Sequence, residues 1–368
     1  MDEVHHWLEL SLVTGIGPKT FFKLVDFFGS PHDVLTASAS ALKQVPELST
    51  AAAESIRAGC RRELEKALDL IEKHHVTVVT YNNSAYPERL KEIYDPPPIL
   101  YVRGELCRAD ANAISIVGSR RATHYGKMVA GRLAADLALM GLTVVSGLAY
   151  GIDAAAHKGA LGAGGRTIAV LGCGVDVVYP RANAKIYEQV PHSGALVSEF
   201  PMGSQPDPGF FPMRNRIVSG LSLGTLVVEA PRKSGALITA RHALEQGREV
   251  LAVPGNIYSP YNEGCHRLIK DGAKLVETVY DIIGEIEHNL SELGTGKPAE
   301  PETLEKVEVP MSTDEKKVFN HLSMAPEHID DIGEACGLTA SQTASVLMTL
   351  ELKGLVQQLS GKLFTRRV

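Results

Sequence analysis

No stretch of this chain is apolar for anything near the roughly 20 residues that a membrane-spanning helix needs. None of its five cysteines stands in a Cys-x-x-Cys pair. The first absence excludes a helical membrane protein. The second argues against a disulfide framework and a thiolate zinc site, and it suits the cytoplasm. The opening residues, Met1-Asp-Glu-Val-His-His-Trp7, have no basic segment followed by an apolar one, so no signal peptide is expected.

Catalytic signatures are missing too. The glycine–lysine pair Gly296-Lys297 runs into proline, so there is no P-loop. The dinucleotide fingerprint fails because Gly172-Cys-Gly174 continues as Val-Asp-Val, and the strand ending Val145-Ser-Gly-Leu148 offers no acid for a ribose. Gly220-Leu-Ser-Leu-Gly224 has the letters of a nucleophile elbow, but a helix precedes it and a strand follows, the reverse of what an elbow requires. The thirteen histidines show no metal-binding spacing. No catalytic residue, metal or cofactor is expected.

What is present is a soluble composition, 44% hydrophobic and 22% charged, over 368 residues. That length suits two or three domains. Residues 1–70 read as short helices, with Leu12-Val-Thr-Gly-Ile-Gly-Pro-Lys19 resembling a helix-hairpin-helix turn whose backbone N–H groups can touch a DNA phosphate. The plainer reading is a tight connection between helices. Residues 71–285 alternate β-branched runs with helical stretches, the pattern of an α/β, doubly wound parallel sheet of extended Rossmann-like type. Residues 286–312, with Gly294-Thr-Gly-Lys-Pro-Ala-Glu-Pro301, read as a linker. Residues 313–368 give three helices and a hairpin, the order of a winged helix. Its expected recognition helix, Thr339–Lys353, has a single basic residue, so a protein contact is favoured over groove reading.

The net charge of −6 does not favour nucleic acid on average, but cations gather in or beside four turns. These are Ile116-Val-Gly-Ser-Arg-Arg-Ala-Thr-His-Tyr-Gly126, Gly172-Cys-Gly-Val-Asp-Val-Val-Tyr-Pro180, Phe211-Pro-Met-Arg-Asn-Arg-Ile217 and Glu229-Ala-Pro-Arg-Lys-Ser-Gly235. Several lie where a strand ends or a helix begins, where free N–H groups and the helix dipole favour anions. Ligands of such sheets bind outside the strand C-termini. Gly118, Ser119, Arg120, Arg121, Arg214, Asn215, Arg216, Lys233, Ser234 and Gly235 are therefore the candidate DNA-binding residues. Phe210 and Phe211 are available to stack on bases, or else form a core pair. The acids Asp153, Asp176, Glu199 and Glu229 are expected to orient the basic loops.

Together these stretches resemble the DNA processing protein A (DprA, or Smf) family. Val117–Gly126, Ser146-Gly-Leu-Ala-Tyr-Gly-Ile-Asp-Ala-Ala-Ala-His157, Leu171–Pro180, Ser198-Glu-Phe-Pro-Met-Gly203, Phe211–Ser222, Val227–Ala240 and Val253-Pro-Gly255 carry the resemblance, in family order across residues 75–285. It implies a non-enzymatic protein that binds single-stranded DNA, forms a homodimer, protects incoming DNA and helps load the RecA recombinase in natural transformation and homologous recombination. The family's Ser-x-Arg motif falls on Ser119 and Arg121, and its lysine before Ser-Gly on Lys233. Two other readings stand beside it. The fold also resembles nucleotide-monophosphate phosphoribohydrolases of the lysine decarboxylase-like kind, with a partial echo of their motif in Gly220–Glu229. A transcriptional regulator acting through the winged helix is the third.

Overall fold

In the computed structural model, residues 3–290, 311–323 and 326–366 are described. The expected linker at 291–310 lies outside them. The chain divides into two compact units, 1–295 and 296–368.

The first unit is built on a nine-stranded sheet. In chain order its strands are β1 (Thr77–Thr80), β2 (Ile99–Gly104), β3 (Ala113–Val117), β4 (Thr143–Ser146), β5 (Thr167–Val170), β6 (Gly194–Ser198), β7 (Gly224–Val227), β8 (Glu249–Ala252) and β9 (Lys274–Leu275). Their spatial order is β1-β2-β6-β5-β4-β3-β7-β8-β9. From β6 to β9 every pairing is parallel. β1 and β2 add an antiparallel flap on the far side of β6. The chain winds outward from β3 to β6, then returns to place β7 on the other side of β3. The switch of direction opens a crevice at the C-terminal ends of β3 and β7.

The central strands have no solvent face. Every residue of β3 through β7 is buried, which is why they read as apolar runs rather than alternations. Ile168, Val170, Ala195 and Val197 pack on one face with the helices Phe210–Gly220 and Ala236–Glu245. Ile114, Ile116, Val144 and Leu226 face the helices His124–Leu139 and Ile152–Gly162. The N-terminal helices, Glu3–Leu12 to Arg61–Lys73, do not keep a core of their own. Trp7, Leu10, Phe21 and Leu24 join Tyr101, Ala169 and Leu196 of the sheet, and Leu171 just beyond β5, in one cluster. The helical segment expected over residues 1–70 therefore packs on the sheet.

One helix starts earlier than its sequence suggests. The pattern points to a helix from Arg214, but the observed helix begins at Phe210. Pro212 falls in the first turn, where its missing N–H costs nothing. Arg214 and Arg216 are then mid-helix and about 200° apart around the axis.

The second unit is a winged helix. Helices Thr313–His321, Ile329–Cys336 and Ala340–Leu352 precede a hairpin of Val356–Leu359 and Leu363–Arg366, turning through Gly361 and Lys362 at positive φ. A third strand, Glu327–His328, which is too short to show in the sequence, pairs with Leu363–Arg366. The apolar run Val346–Leu350 is largely used internally. Leu347 and Leu350 fill the unit's own core with Val318, Ile332 and Phe364, and Met348 alone of the run is exposed.

Candidate nucleic-acid interface

The crevice at the switch point is an open cleft of about 510 Å³. Three chain segments shape it. Gly118, Ser119 and Arg120 leave β3, Pro231 to Ala236 leave β7, and Phe211, Arg214 and Asn215 face it from the helix Phe210–Gly220. Gly147, Ala149 and Asp153, following β4, complete the floor.

The turn after β3 is held by the strand beside it. Ser119 N donates to the Glu229 carbonyl oxygen at 2.6 Å, and Ser119 Oγ accepts from Arg121 N at 3.1 Å. The Glu229 carboxylate is buried and takes both the N–H of Thr123 (2.9 Å) and its hydroxyl (2.5 Å). Thr123 in turn caps the helix His124–Leu139 through Gly126 N. Gly151 closes the floor beneath this turn with φ 78°, and a Cβ there would lie 2.2 Å from the Ser119 carbonyl oxygen. Gly151→Ala is expected to lower stability by at least about 1–3 kcal/mol, the usual cost of a side chain in this region of backbone space. A urea midpoint equal to that of the unaltered protein would show that the turn can move aside.

Arg214 is the floor's buried cation, only 4% exposed. Its Nη1 donates to the carbonyl oxygens of Gly147 (2.7 Å) and Val170, tying together the exits of β4 and β5. Gly147 leaves room for that group, since a Cβ there would stand 2.4 Å from the guanidinium and push it from its seat. Burial lowers the Arg214 pKa to about 10, against the opposing pull of Asp153, so the group stays charged at neutral pH. Burial likewise pushes the Asp153 carboxyl up. Arg214 and hydrogen bonds from the N–H groups of Ala149 and Gly147 oppose that rise.

Arg120 stands at the mouth, exposed, with its guanidinium 5.2 Å from the Phe211 ring centroid. Tyr179 also packs on that ring, with centroids 5.5 Å apart. Phe210 turns the other way and stacks on Phe200 at 4.2 Å. Of the two phenylalanines, Phe211 alone lines the cleft.

The sequence-predicted residues thus divide. Gly118, Ser119, Arg120, Arg214, Asn215, Ser234 and Gly235 line the cleft. Arg121 and Lys233 are exposed on the same two turns, just outside the lining. Arg216 is turned away. It is buried, bonded to Asp95 at 2.9 Å and to Glu199 at 2.6 Å, so its charge is committed to the protein. Tyr179, Gly147 and Ile238 line the cleft without having been singled out as binding residues. The acids hold loops in place, Asp176 by accepting from Gly203 N at 2.8 Å.

Behind the floor, His157 is fully buried, with Nδ1 2.7 Å from Thr167 Oγ1. Since the Thr167 hydroxyl donates to the Val144 carbonyl oxygen, Nδ1 carries the proton and the ring is neutral. Burial lowers its pKa to about 3, with Arg214 adding to the shift. The unfolded chain therefore binds a proton that the native state refuses between about pH 6.5 and 3. The stability this group contributes is complete above about pH 6.5 and is lost as pH falls. From neutrality to pH 5 the loss is about 2 kcal/mol. Denaturant melts should show a shallower acid limb for His157→Gln, and parallel limbs would contradict this.

Three family models match the chain. DNA recombination-mediator protein A covers residues 77–287, the DprA winged helix domain 297–362, and the SAM-like helix-hairpin-helix tandem 8–62. The chain is 34% identical to Protein Smf of Synechocystis over all of its own length and 99% of that protein. It is 40% identical to the DNA processing protein DprA of Bacillus subtilis, over 66% of this chain and 84% of that one. Among solved structures, DNA processing protein A from Streptococcus pneumoniae superposes with a TM-score of 0.69 at 33% identity, covering 77% of this chain and 98% of that chain. The Helicobacter pylori protein, whose structure is described as showing a single-stranded DNA binding mode, gives 0.53 at 30%, covering 59% and 99%.

Proposed function

Because the chain belongs to the DNA recombination-mediator protein A family, the DprA/Smf proteins, we propose that it binds single-stranded DNA through the cleft at its switch point. Gly118, Ser119, Arg120, Arg121, Asn215, Lys233, Ser234 and Gly235 hold backbone phosphates in this reading. Arg214 supplies positive charge from beneath, and Phe211 stacks on a base. The observation that carries it is the convergence of Arg120, Arg214 and the Phe211 ring on one open cleft. The single-stranded DNA binding described for the Helicobacter pylori relative supports it. The biological role we propose is protection of incoming strands and loading of RecA in transformation and recombination, by a homodimer formed through the α/β unit in the cytoplasm. Two clefts on one strand raise affinity through effective concentration.

The nucleotide-hydrolysing alternative has less support. The glutamate it would need, Glu229, has both carboxylate oxygens engaged by Thr123. Competition tests the binding reading. Unlabelled single strands should displace a bound fluorescent oligonucleotide well below the concentration needed of a duplex of the same sequence. Equal competition by duplex overturns single-strand selectivity, and turnover of nucleotide monophosphates lost in Glu229→Gln overturns the non-enzymatic assignment. Light scattering checks the assembly: a dimer is expected, and a monomer would refute it.

A further inference from the structure

A second hollow of about 340 Å³ lies on the same edge of the sheet. It is lined by Lys19, Phe22, Lys23 and Asp26 of the helix Pro18–Phe28 and by Tyr94, Asp95 and Pro96. The loop carrying Tyr94 leads into β2, which runs antiparallel to β6. It therefore lies where the parallel strands end, as the cleft does. From β3 to β2 the sheet takes four strand spacings, roughly 19 Å.

One helix stands between the two hollows. Phe210–Gly220 presents Arg214 and Asn215 to the cleft, and through Arg216 it grips Asp95 of the second hollow. Asp95 shares that guanidinium with Glu199, and Asp26 is the hollow's other acid. Lys19 and Lys23 are one helical turn apart. Lys19 Nζ lies 4.1 Å from the Tyr94 ring centroid, and Lys23 has Glu47 as a partner at 2.7 Å. Tyr94 is 85% exposed, a large ring with one face given to a lysine and the rest to solvent. A lysine pair beside an exposed aromatic is the combination that grips single strands, by phosphate contact and base stacking.

We propose that the hollow formed by Lys19, Lys23 and Tyr94 is a second contact for the same DNA strand, engaged only by strands long enough to run from the cleft past the helix Phe210–Gly220. This rests on the cleft being the first contact. It gives the N-terminal helices a function in the track, with backbone phosphates on the lysines and one base on Tyr94.

The test compares oligothymidylates of about 3 nucleotides, too short to span roughly 19 Å, and of about 30 nucleotides on the full-length protein. Tyr94→Ala should weaken the long strand about five- to 150-fold, the range for one stacked base, and leave the short one unchanged. Lys19→Ala with Lys23→Ala should lower the long strand's salt dependence by about 1.4 log units per tenfold salt, two phosphates' worth. Lys233→Ala should weaken both lengths. Unchanged long-strand binding in both groove variants, with wild-type melting temperatures, overturns the second contact alone. Failure of the unaltered protein to bind either strand overturns the cleft with it.

Discussion

Arg216→Met should cost about 3–5 kcal/mol of folding stability, the usual effect of removing one partner from a buried ion pair. The reason is what the substitution leaves behind. Glu199 is nearly as buried as Arg216, and burial already pushes its carboxyl up against the pull of Arg216. Without the guanidinium it must ionise unpaired or take up a proton, and Asp95 loses its anchor as well. Any loss of DNA binding should therefore follow the loss of fold. Melting temperature and binding, measured side by side, separate this from a contact role. A normally folded Arg216→Met protein that no longer binds DNA would return Arg216 to the list of DNA contacts.

The opposite pattern is expected of the double variant Arg120→Ala with Lys233→Ala. Both side chains are exposed, and exposed charges contribute about 0–1 kcal/mol to folding. A hydrogen bond to a charged phosphate contributes about 1.5–3 kcal/mol. Losing two such contacts should weaken single-strand binding at least about a hundredfold with the melting temperature unchanged. Arg120 also loses its place over Phe211, so the base-stacking ring is freed as well. Normal affinity in this variant would place the phosphate site elsewhere.

The contrast between these arginines was not legible in the sequence. Pro212 and the uncapped start at Gly209 make Phe211-Pro-Met-Arg-Asn-Arg read as a turn, and a turn lets both arginines face one ligand. The helix starts at Phe210, so Arg214 and Arg216 are both mid-helix and face opposite sides. The strands were legible because burial on both faces makes them unbroken β-branched runs, and the βα alternation pointed to a parallel sheet. The docking of the N-terminal helices was not, since an amphipathic face such as that of Phe21 and Leu24 says that something covers it without saying what. Tyr179 and Gly147 escaped for a related reason. They reach the cleft through the exits of neighbouring strands, which only the sheet order brings together. Asp153 and Asp176 accept from the free N–H groups of Gly147 and Gly203, whereas Glu199 pairs with Arg216 and Glu229 with Thr123, partners that sequence spacing does not show.

The most direct test is a salt titration of single-strand binding by the unaltered protein and by the Arg120→Ala, Lys233→Ala double variant. If the cleft holds backbone phosphates, log affinity should fall linearly with log salt, by about 0.7 per phosphate neutralised. The double variant should show a slope shallower by about 1.4, for its two missing charges. Binding that does not depend on salt, or a slope that both proteins share, would contradict phosphate recognition at the switch point.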